Sequence, residues 1–277
     1  MVPAQNSIAV IHLIRCANGP EPFRAFLNSY RHFSAGADHQ LVLIFKGFQE
    51  HIPAEYLAKL DAIDYIKYIY SGDDGFDIGP YFEVGQELDF DYFCFLNSFS
   101  TILCDNWLKN LIGGVSAGQN TGLIGATGTW ERNSDDPQFP NIHLRSNGFL
   151  ISKEILLKIE CPTIKTKSDA SHMESGATSI TQQIMNMGYN IYAVDRNGHL
   201  WPPRDWPKSK TFRSGHQEGL LIADNRTRAY DAADDWEKEY LTDLAWTNKR
   251  DIPNPHKRHK IRIRIRRLLQ LVKRRLT

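Results

Sequence analysis

The feature that most constrains this chain is an alternation that runs through its first half. Ser7–Arg15 (SIAVIHLIR), Gln40–Phe45 (QLVLIF) and Tyr65–Tyr70 (YIKYIY) are apolar runs of strand length. Between and after them lie helix-like pieces. Glu21–Tyr30 carries Phe23, Phe26, Leu27 and Tyr30 at helical spacing, with Pro22 near its start, and Ala54–Asp61 and Phe82–Glu87 follow. A strand within Asp91–Ser100 (DYFCFLNSFS), a helix over Asn106–Val115 and a strand over Gly122–Ala126 complete this half. Parallel strands need crossovers, and crossover helices cover the sheet faces. The pattern therefore predicts an α/β fold, Rossmann-like, with a mainly parallel central sheet flanked by helices.

The second half is less regular. A polar loop from Thr127 to Pro140 precedes a strand-like Gly148–Ile151. Ser179–Met187 reads as a helix ending at Gly188, Tyr189–Val194 as a strand and Tyr230–Trp246 as a helix. Residues 195–219, rich in Trp, Pro and Arg, read as an ordered but irregular wall. A linker at Asp251–Pro255 separates residues 1–250, read as one domain, from an appendage at 251–277.

Several function classes are excluded or disfavoured. RCANGPEPF follows the first strand where a dinucleotide enzyme would place G-x-G-x-x-G, and no G-x-x-x-x-G-K-[ST] occurs. H-E-x-x-H, a Cys/His cluster and G-x-S-x-G are missing as well, which disfavours a zinc site or an acyl hydrolase. The 4 cysteines (Cys16, Cys94, Cys104 and Cys161) form no CxxC pair and read as free thiols of a reducing compartment. No apolar run of membrane-spanning length appears, and the N-terminus lacks a basic leader, so the expected location is cytoplasmic.

DYFCFLNSFS turns polar abruptly at Asn97 and Ser98, as a buried strand does where it reaches the carboxyl edge of a sheet and its ligands. Before it lies SGDDGFDIGPY. After it come GATGTWE, PNIHLRSNGFLI, MESGATS (Glu174, Ser175), Gly188-Tyr189, VDRNG, WPKSKTFR and LLIADNRT. In order and spacing these pieces resemble the GT-A glycosyltransferases of the bacterial family-2-like kind, and more strongly a group of bacterial glycosyltransferase-like proteins. The likeness covers about residues 7–247. The resemblance implies a GT-A fold and transfer of a sugar, of hexosyl type, from a nucleotide-sugar donor to a cell-surface glycan or lipid-linked acceptor, with inversion. It puts Glu174 in the place of the catalytic base. Asn97-Ser98 stand where the family has its metal-binding Asp-x-Asp, and Ser175 stands where it has a second acid.

Donor contacts are expected at Arg15, Asp73, Asp77, Asn97, Ser98 and Arg213, with Arg213 meeting the pyrophosphate in place of a metal. Acceptor contacts are expected at Trp130, Glu131, His143, Arg145, Asn147, Asp205 and Trp206. On an extended strand His143, Arg145 and Asn147 share a face. Mn2+ and Mg2+ favour carboxylates, whereas Asn97, Ser98 and Ser100 bring no charge. Metal binding is therefore expected to be weak or absent unless Asp73, Asp74 or Asp77 contributes. For most of these residues a structural role competes. Asn97 and Asp224 would cap turns, Asp195-Arg196 would form one with Asn197-Gly198, Glu174 would be an acid favoured at a helix start, and Trp130 would be packed. The functional alternative is a non-catalytic sugar- or nucleotide-binding relative within a polysaccharide assembly complex.

Charge is uneven along the chain. Residues 257–277 hold ten Lys/Arg and no acid, which leaves an acidic body. Ile261, Ile265, Leu268, Leu269, Val272 and Leu276 recur at helical spacing. Residues 256–277 thus read as a basic amphipathic helix for an anionic membrane surface, which implies an enzyme peripheral to the inner membrane face. No nucleic-acid partner is expected.

Overall fold

A computed structural model describes residues 7–48, 51–58, 60, 63–132 and 137–248. The tail at 251–277 lies outside them, so its predicted helix is not among the described residues. The chain runs β1 (Ile8–Arg15), α1 (Glu21–His32), β2 (Gln40–Lys46), α2 (Ala54–Leu57), β3 (Tyr65–Tyr70), α3 (Ile78–Glu87) and β4 (Tyr92–Leu96). It continues through β5 (Thr101–Ile102), α4 (Trp107–Ala117), β6 (Thr121–Gly125), β7 (Gly128–Thr129), β8 (His143–Leu144) and β9 (Phe149–Ser152). Then come α5 (Lys153–Leu156), α6 (Lys167–Ser175), α7 (Ile180–Asn186), β10 (Asn190–Val194), β11 (Leu200–Trp201), α8 (Trp206–Ser209), β12 (Ile222–Ala223), α9 (Asn225–Asp231) and α10 (Asp235–Trp246).

The expected α/β architecture is present. One sheet of 8 strands has the order β11-β10-β6-β9-β4-β1-β2-β3. Six strands share one direction, while β9 runs against β4 and β6, and β11 against β10. Central strands are apolar at successive positions because helices cover both faces. Ala9, Ile11 and Leu13 pack with Tyr81 and Val84 of α3 and Ile184 of α7. Ile8, Val10 and Ile14 face the other way, onto Phe26 and Leu27 of α1 and Trp107 and Leu111 of α4.

Two features position the functional edge. From β1 the chain steps outward to β2 and β3, then returns to β4 on the opposite side, so the strand order reverses between β1 and β4. Open α/β sheets form a ligand crevice at the carboxyl ends of such a pair. The antiparallel β9 begins level with the ends of its neighbours, Phe149 pairing with Phe95 and with Gly125. The residues just before it therefore arrive at the same edge.

Three helix expectations need correction. The single helix expected over Tyr230–Trp246 is two, α9 and α10, because the Asp234 side chain accepts the Glu237 N–H at 2.8 Å and starts α10 afresh. α3 starts at Ile78, four residues earlier than expected, just after Asp77. Glu174 does not open a helix. It lies in the last turn of α6, whose start is fixed by a capping box between Thr166 and Asp169.

Tight packing joins β7 to the 201–213 wall. A Cβ built on Gly128 would lie 2.5 Å from the ring of Trp206, which is fully buried and donates its indole N–H to the Trp201 carbonyl at 2.9 Å. The ring cannot yield. Gly128→Ala should therefore lower stability by about 1–3 kcal/mol, read as a lower urea midpoint at an unchanged m-value.

Candidate functional site

The carboxyl edge carries two groups of ionisable side chains. The first lies at the ends of β1 and β2, where Arg15 and Lys46 are register partners. Arg15 donates through Nε and Nη2 to both oxygens of Asp73, the first bond 2.6 Å long. This hydrogen bond raises the Arg15 pKa and lowers that of Asp73. Both side chains stay about 40% exposed (40% and 42%), so the pair orients more than it stabilises. Lys46 is 1% exposed and donates Nζ to the Phe76 carbonyl at 2.5 Å. Burial pushes its pKa down, against the pull of Asp77 and Asp73. Sequence reasoning overlooked Lys46, although a cation closing each of two adjacent strand runs was a visible signal.

The second group lines a cleft of about 140 Å³ at the same edge, walled by Thr129, Glu131, His143, Arg145, Ser146, Glu174, Ser175, Phe212, Arg213 and Arg226. Glu174 accepts a 2.8 Å hydrogen bond from the Ser146 hydroxyl and is half-buried. A helix C-terminus favours cations. The acid is therefore not placed there by the macrodipole, and its competing role as an ordinary acid at a helix start falls away. Arg145 pairs through Nη2 with Asp224 at 2.8 Å, and Arg213 through Nη1 with Glu131 at 2.8 Å. Both guanidinium carbons approach the Phe212 ring, at 4.3 and 4.8 Å from its centre. Burial lowers the Arg213 pKa and the neighbouring Arg145 lowers it further, while Glu131 opposes them.

The Arg213 backbone has φ 41°, a left-handed conformation uncommon for a side chain of this size. It is pinned by Gln217 Oε1, which accepts the Arg213 N–H at 3.1 Å, and by Trp246 Nε1, which donates to the Arg213 carbonyl at 3.1 Å. His143 is buried, and burial pushes its pKa down to about 4, so it is neutral at pH 7. Its Nδ1–H donates to the Asn141 carbonyl at 2.9 Å, which leaves Nε2 as an acceptor.

Asp77 links the two groups electrostatically. Burial raises its carboxyl to about 6 and the charge of Glu174 adds to the rise, while Lys46 and Arg15 oppose it. The residues singled out from sequence thus divide. Glu131, His143, Arg145, Glu174 and Arg213 share one cleft. Arg15, Asp73 and Asp77 gather at β1 and β2, beside the strand order reversal. The structure puts Arg213 with the expected acceptor set rather than with the other donor residues.

Others are held in packing or turns. Asn97 Oδ1 accepts the Phe99 N–H at 2.9 Å and the Ser100 hydroxyl at 3.0 Å, capping the turn after β4. Ser98 Oγ, next to it, is buried with no partner among the described residues. Asn147 is fully buried and bonded to Thr127 and to the Ile222 carbonyl, so the alternation from His143 does not extend to it. Trp130 packs on Trp246 and donates to the Pro203 carbonyl, Trp206 is core, and Asp205 bonds Lys208 and Arg204 on the surface. Asp224 caps α9, and Asp195 closes the turn to His199. Ser146, Phe212 and Arg226 were not anticipated. Arg226 stood in LLIADNRT, but nothing local marks which arginine of a helix faces a cleft.

No protein-family model and no curated protein matches the chain. Among solved structures it is similar to the mannosyltransferase PcManGT from Pyrobaculum calidifontis in complex with GDP-Man and Mn2+. Identity is 12% over 75% of this chain and 61% of that one, with a TM-score of 0.48. It is also similar to S. aureus TarS 1-349 in complex with UDP, at 12% identity over 59% of this chain and 52% of that one, TM-score 0.44. The chain thus spans less than two thirds of either. Likeness of this degree transfers no chemistry, which has to come from the residues themselves.

At the strand edge the donor set does not suit a hard divalent ion. The Asn97 oxygen is already engaged, Asp73 is clasped by Arg15, and no three of His, Cys, Asp or Glu converge among the described residues. No helix among them is long and apolar enough to cross a membrane.

Asp77 gives a pH signature. Its carboxyl moves from 3.8 to about 6 on folding, so between those values the folded chain binds the proton more tightly. Stability then falls as pH rises through that window and levels off above it. Asp77→Asn should remove this fall and leave the chain more stable at pH 7, by on the order of 1 kcal/mol for a partly screened group. Urea unfolding from pH 4 to 8 reads the difference.

Proposed function

We propose that this chain is a glycosyltransferase of the GT-A kind, carrying a hexosyl group from a nucleotide-sugar donor to a hydroxyl of a cell-surface glycan or lipid-linked acceptor. The observation that carries the proposal is Glu174. Its carboxylate stands in a polar, arginine-lined cleft at the carboxyl edge of the sheet, oriented by the Ser146 hydroxyl. Neither the helix dipole nor, among the described residues, an ion pair accounts for it there.

In this role Glu174 takes the proton of the acceptor hydroxyl. That oxygen bonds to the anomeric carbon while the bond from this carbon to the donor phosphate breaks, so a single displacement inverts the centre. Charge builds on the departing diphosphate. Arg15, at the end of β1, is the cation proposed to meet it, with Asp73 holding its fork in place and the buried Lys46 adding its charge from the end of β2. Asp77 and the Ser98 hydroxyl complete the donor side. His143 Nε2, an acceptor, suits a sugar hydroxyl on the other side.

Glu174→Gln should reduce transfer by about 10²–10⁴-fold with an unchanged melting temperature. A panel of UDP-, GDP-, dTDP- and CMP-sugars, with Mn2+ and with EDTA, reads turnover and nucleotide binding together. Normal turnover in Glu174→Gln refutes the base. The non-catalytic alternative, favoured by the neutral and locally engaged Asn97, predicts nucleotide binding without turnover. Residues 256–277 are proposed to hold the enzyme at an anionic membrane surface. Truncation after Pro255 should then abolish binding to phosphatidylserine vesicles, and unchanged binding would remove the membrane from the proposal.

A further inference from the structure

The arginine cleft holds more cationic hydrogen-bonding capacity than its own acids use. Arg145 gives one nitrogen to Asp224, and Arg213 gives one to Glu131. A guanidinium has five N–H donors. Arg145 Nη1 and Arg213 Nε are buried with no partner among the described residues. Arg213 is only 4% exposed, so its idle donor is costly rather than hydrated. Neither side chain is placed to swing into water, because each lies against Phe212, 4.3 and 4.8 Å from the ring centre. Arg226, on the exposed first turn of α9, brings a third guanidinium to the same cleft. Desolvation and the two neighbouring arginines all disfavour the charged form of Arg213. An oxyanion held by the other guanidinium N–H groups that line the cleft would offset the repulsion among the three arginines.

Size and position narrow what that anion belongs to. A volume of about 140 Å³ lies below the roughly 300 Å³ at which pockets take drug-sized ligands. The cleft therefore suits one anionic group rather than a whole nucleotide. Glu174 and Ser146 are part of its wall, whereas Arg15 and Lys46 are not. We infer that Arg145, Arg213 and Arg226 form a preformed seat for an oxyanion carried by the acceptor, so that the substrate is a hydroxyl compound bearing a phosphate or carboxylate close to the reacting oxygen. The inference rests on the Glu174 role proposed above.

Calorimetric titration of the full chain with inorganic phosphate at pH 7 and low salt, with and without saturating UDP or GDP, tests it. Phosphate should bind equally well in both conditions. Arg226→Gln, at an exposed position that leaves the fold intact, should weaken phosphate by about tenfold while nucleotide affinity stays constant. Arg213→Gln should weaken it at least as much, with folding checked by circular dichroism. Absence of phosphate binding to the wild-type chain, or binding unaltered in Arg226→Gln, would overturn the seat. Competition between phosphate and nucleotide would overturn its assignment to the acceptor, because the anion would then be the donor's diphosphate. Full transfer by Glu174→Gln, or no nucleotide binding at all, would also end the acceptor assignment but leave the phosphate isotherm standing, which separates the two failures.

Discussion

The edge of this protein depends on the ladder made by one short strand. β9 runs against both β4 and β6, and closes the gap between two groups of parallel strands that would otherwise share no hydrogen bonds. Its reversed direction has a chemical consequence. A strand parallel to its neighbours would deliver its preceding residues to the amino edge. β9 instead delivers His143–Gly148 to the carboxyl edge, beside the ends of β1, β2 and β4. Ser146 thereby reaches Glu174, and Arg145 reaches Asp224. Asn147 serves this arrangement from inside, accepting from Thr127 and donating to the Ile222 carbonyl, so that the segment before β9 is tied to β12.

The two ion pairs of the cleft are better understood as orientation than as stability. Arg145–Asp224 is largely shielded from water, with side chains 15% and 2% exposed, and such pairs recover little beyond their desolvation penalty. Burial alone would raise the Asp224 carboxyl. The Arg145 charge and the N–H donors of Thr227 and Arg226 outweigh it and keep the group ionised, with its pKa below the usual value. Each acid fixes one nitrogen of a guanidinium and Phe212 lies against its plane, so both side chains are held at the cleft wall. The left-handed backbone at Arg213, held by Gln217 and Trp246, is consistent with strain kept for placement.

Most of the framework was legible in the sequence, and for a simple reason. Strands buried on both faces are apolar over most of their length, and β1 and β2 are so apart from His12 and the terminal Arg15, Gln40 and Lys46, so their limits could be read almost to the residue. α1 was equally clear from Pro22 and its apolar spacing. α6 was not. KSDASHMES buries little beyond Ala170 and Met173, and the signal that would have found it was the capping pair Thr166 and Asp169. Without α6, Glu174 falls at the wrong end of a helix. The tryptophans failed differently. Whether an indole offers a sugar platform or fills a core depends on what lies across from it, and a lone Gly128 opposite Trp206 decides for the core. Long-range pairings such as Arg213 with Glu131, 82 residues apart, have no local signature at all.

The charges around the Asn97 edge limit what it can hold. A divalent ion would need carboxylates free to turn toward it. Of those nearby, Asp73 is held in a two-point clasp by Arg15, while burial, with the Glu174 charge adding to it, lets Asp77 keep its proton up to about pH 6. Asn97 itself is committed to the turn that ends β4. In the proposed transfer Arg15, at the end of β1, is the side chain that meets leaving-group charge. A fixed guanidinium clasped by an acid differs from an ion in one important respect. It presents directional N–H donors that need no reorganisation as charge develops, which is the form of electrostatic help that a preorganised, partly desolvated site provides most effectively. On the proposed function, the neutral Asn97-Ser98 edge is complemented by the fixed charge of Arg15 and its partner Asp73.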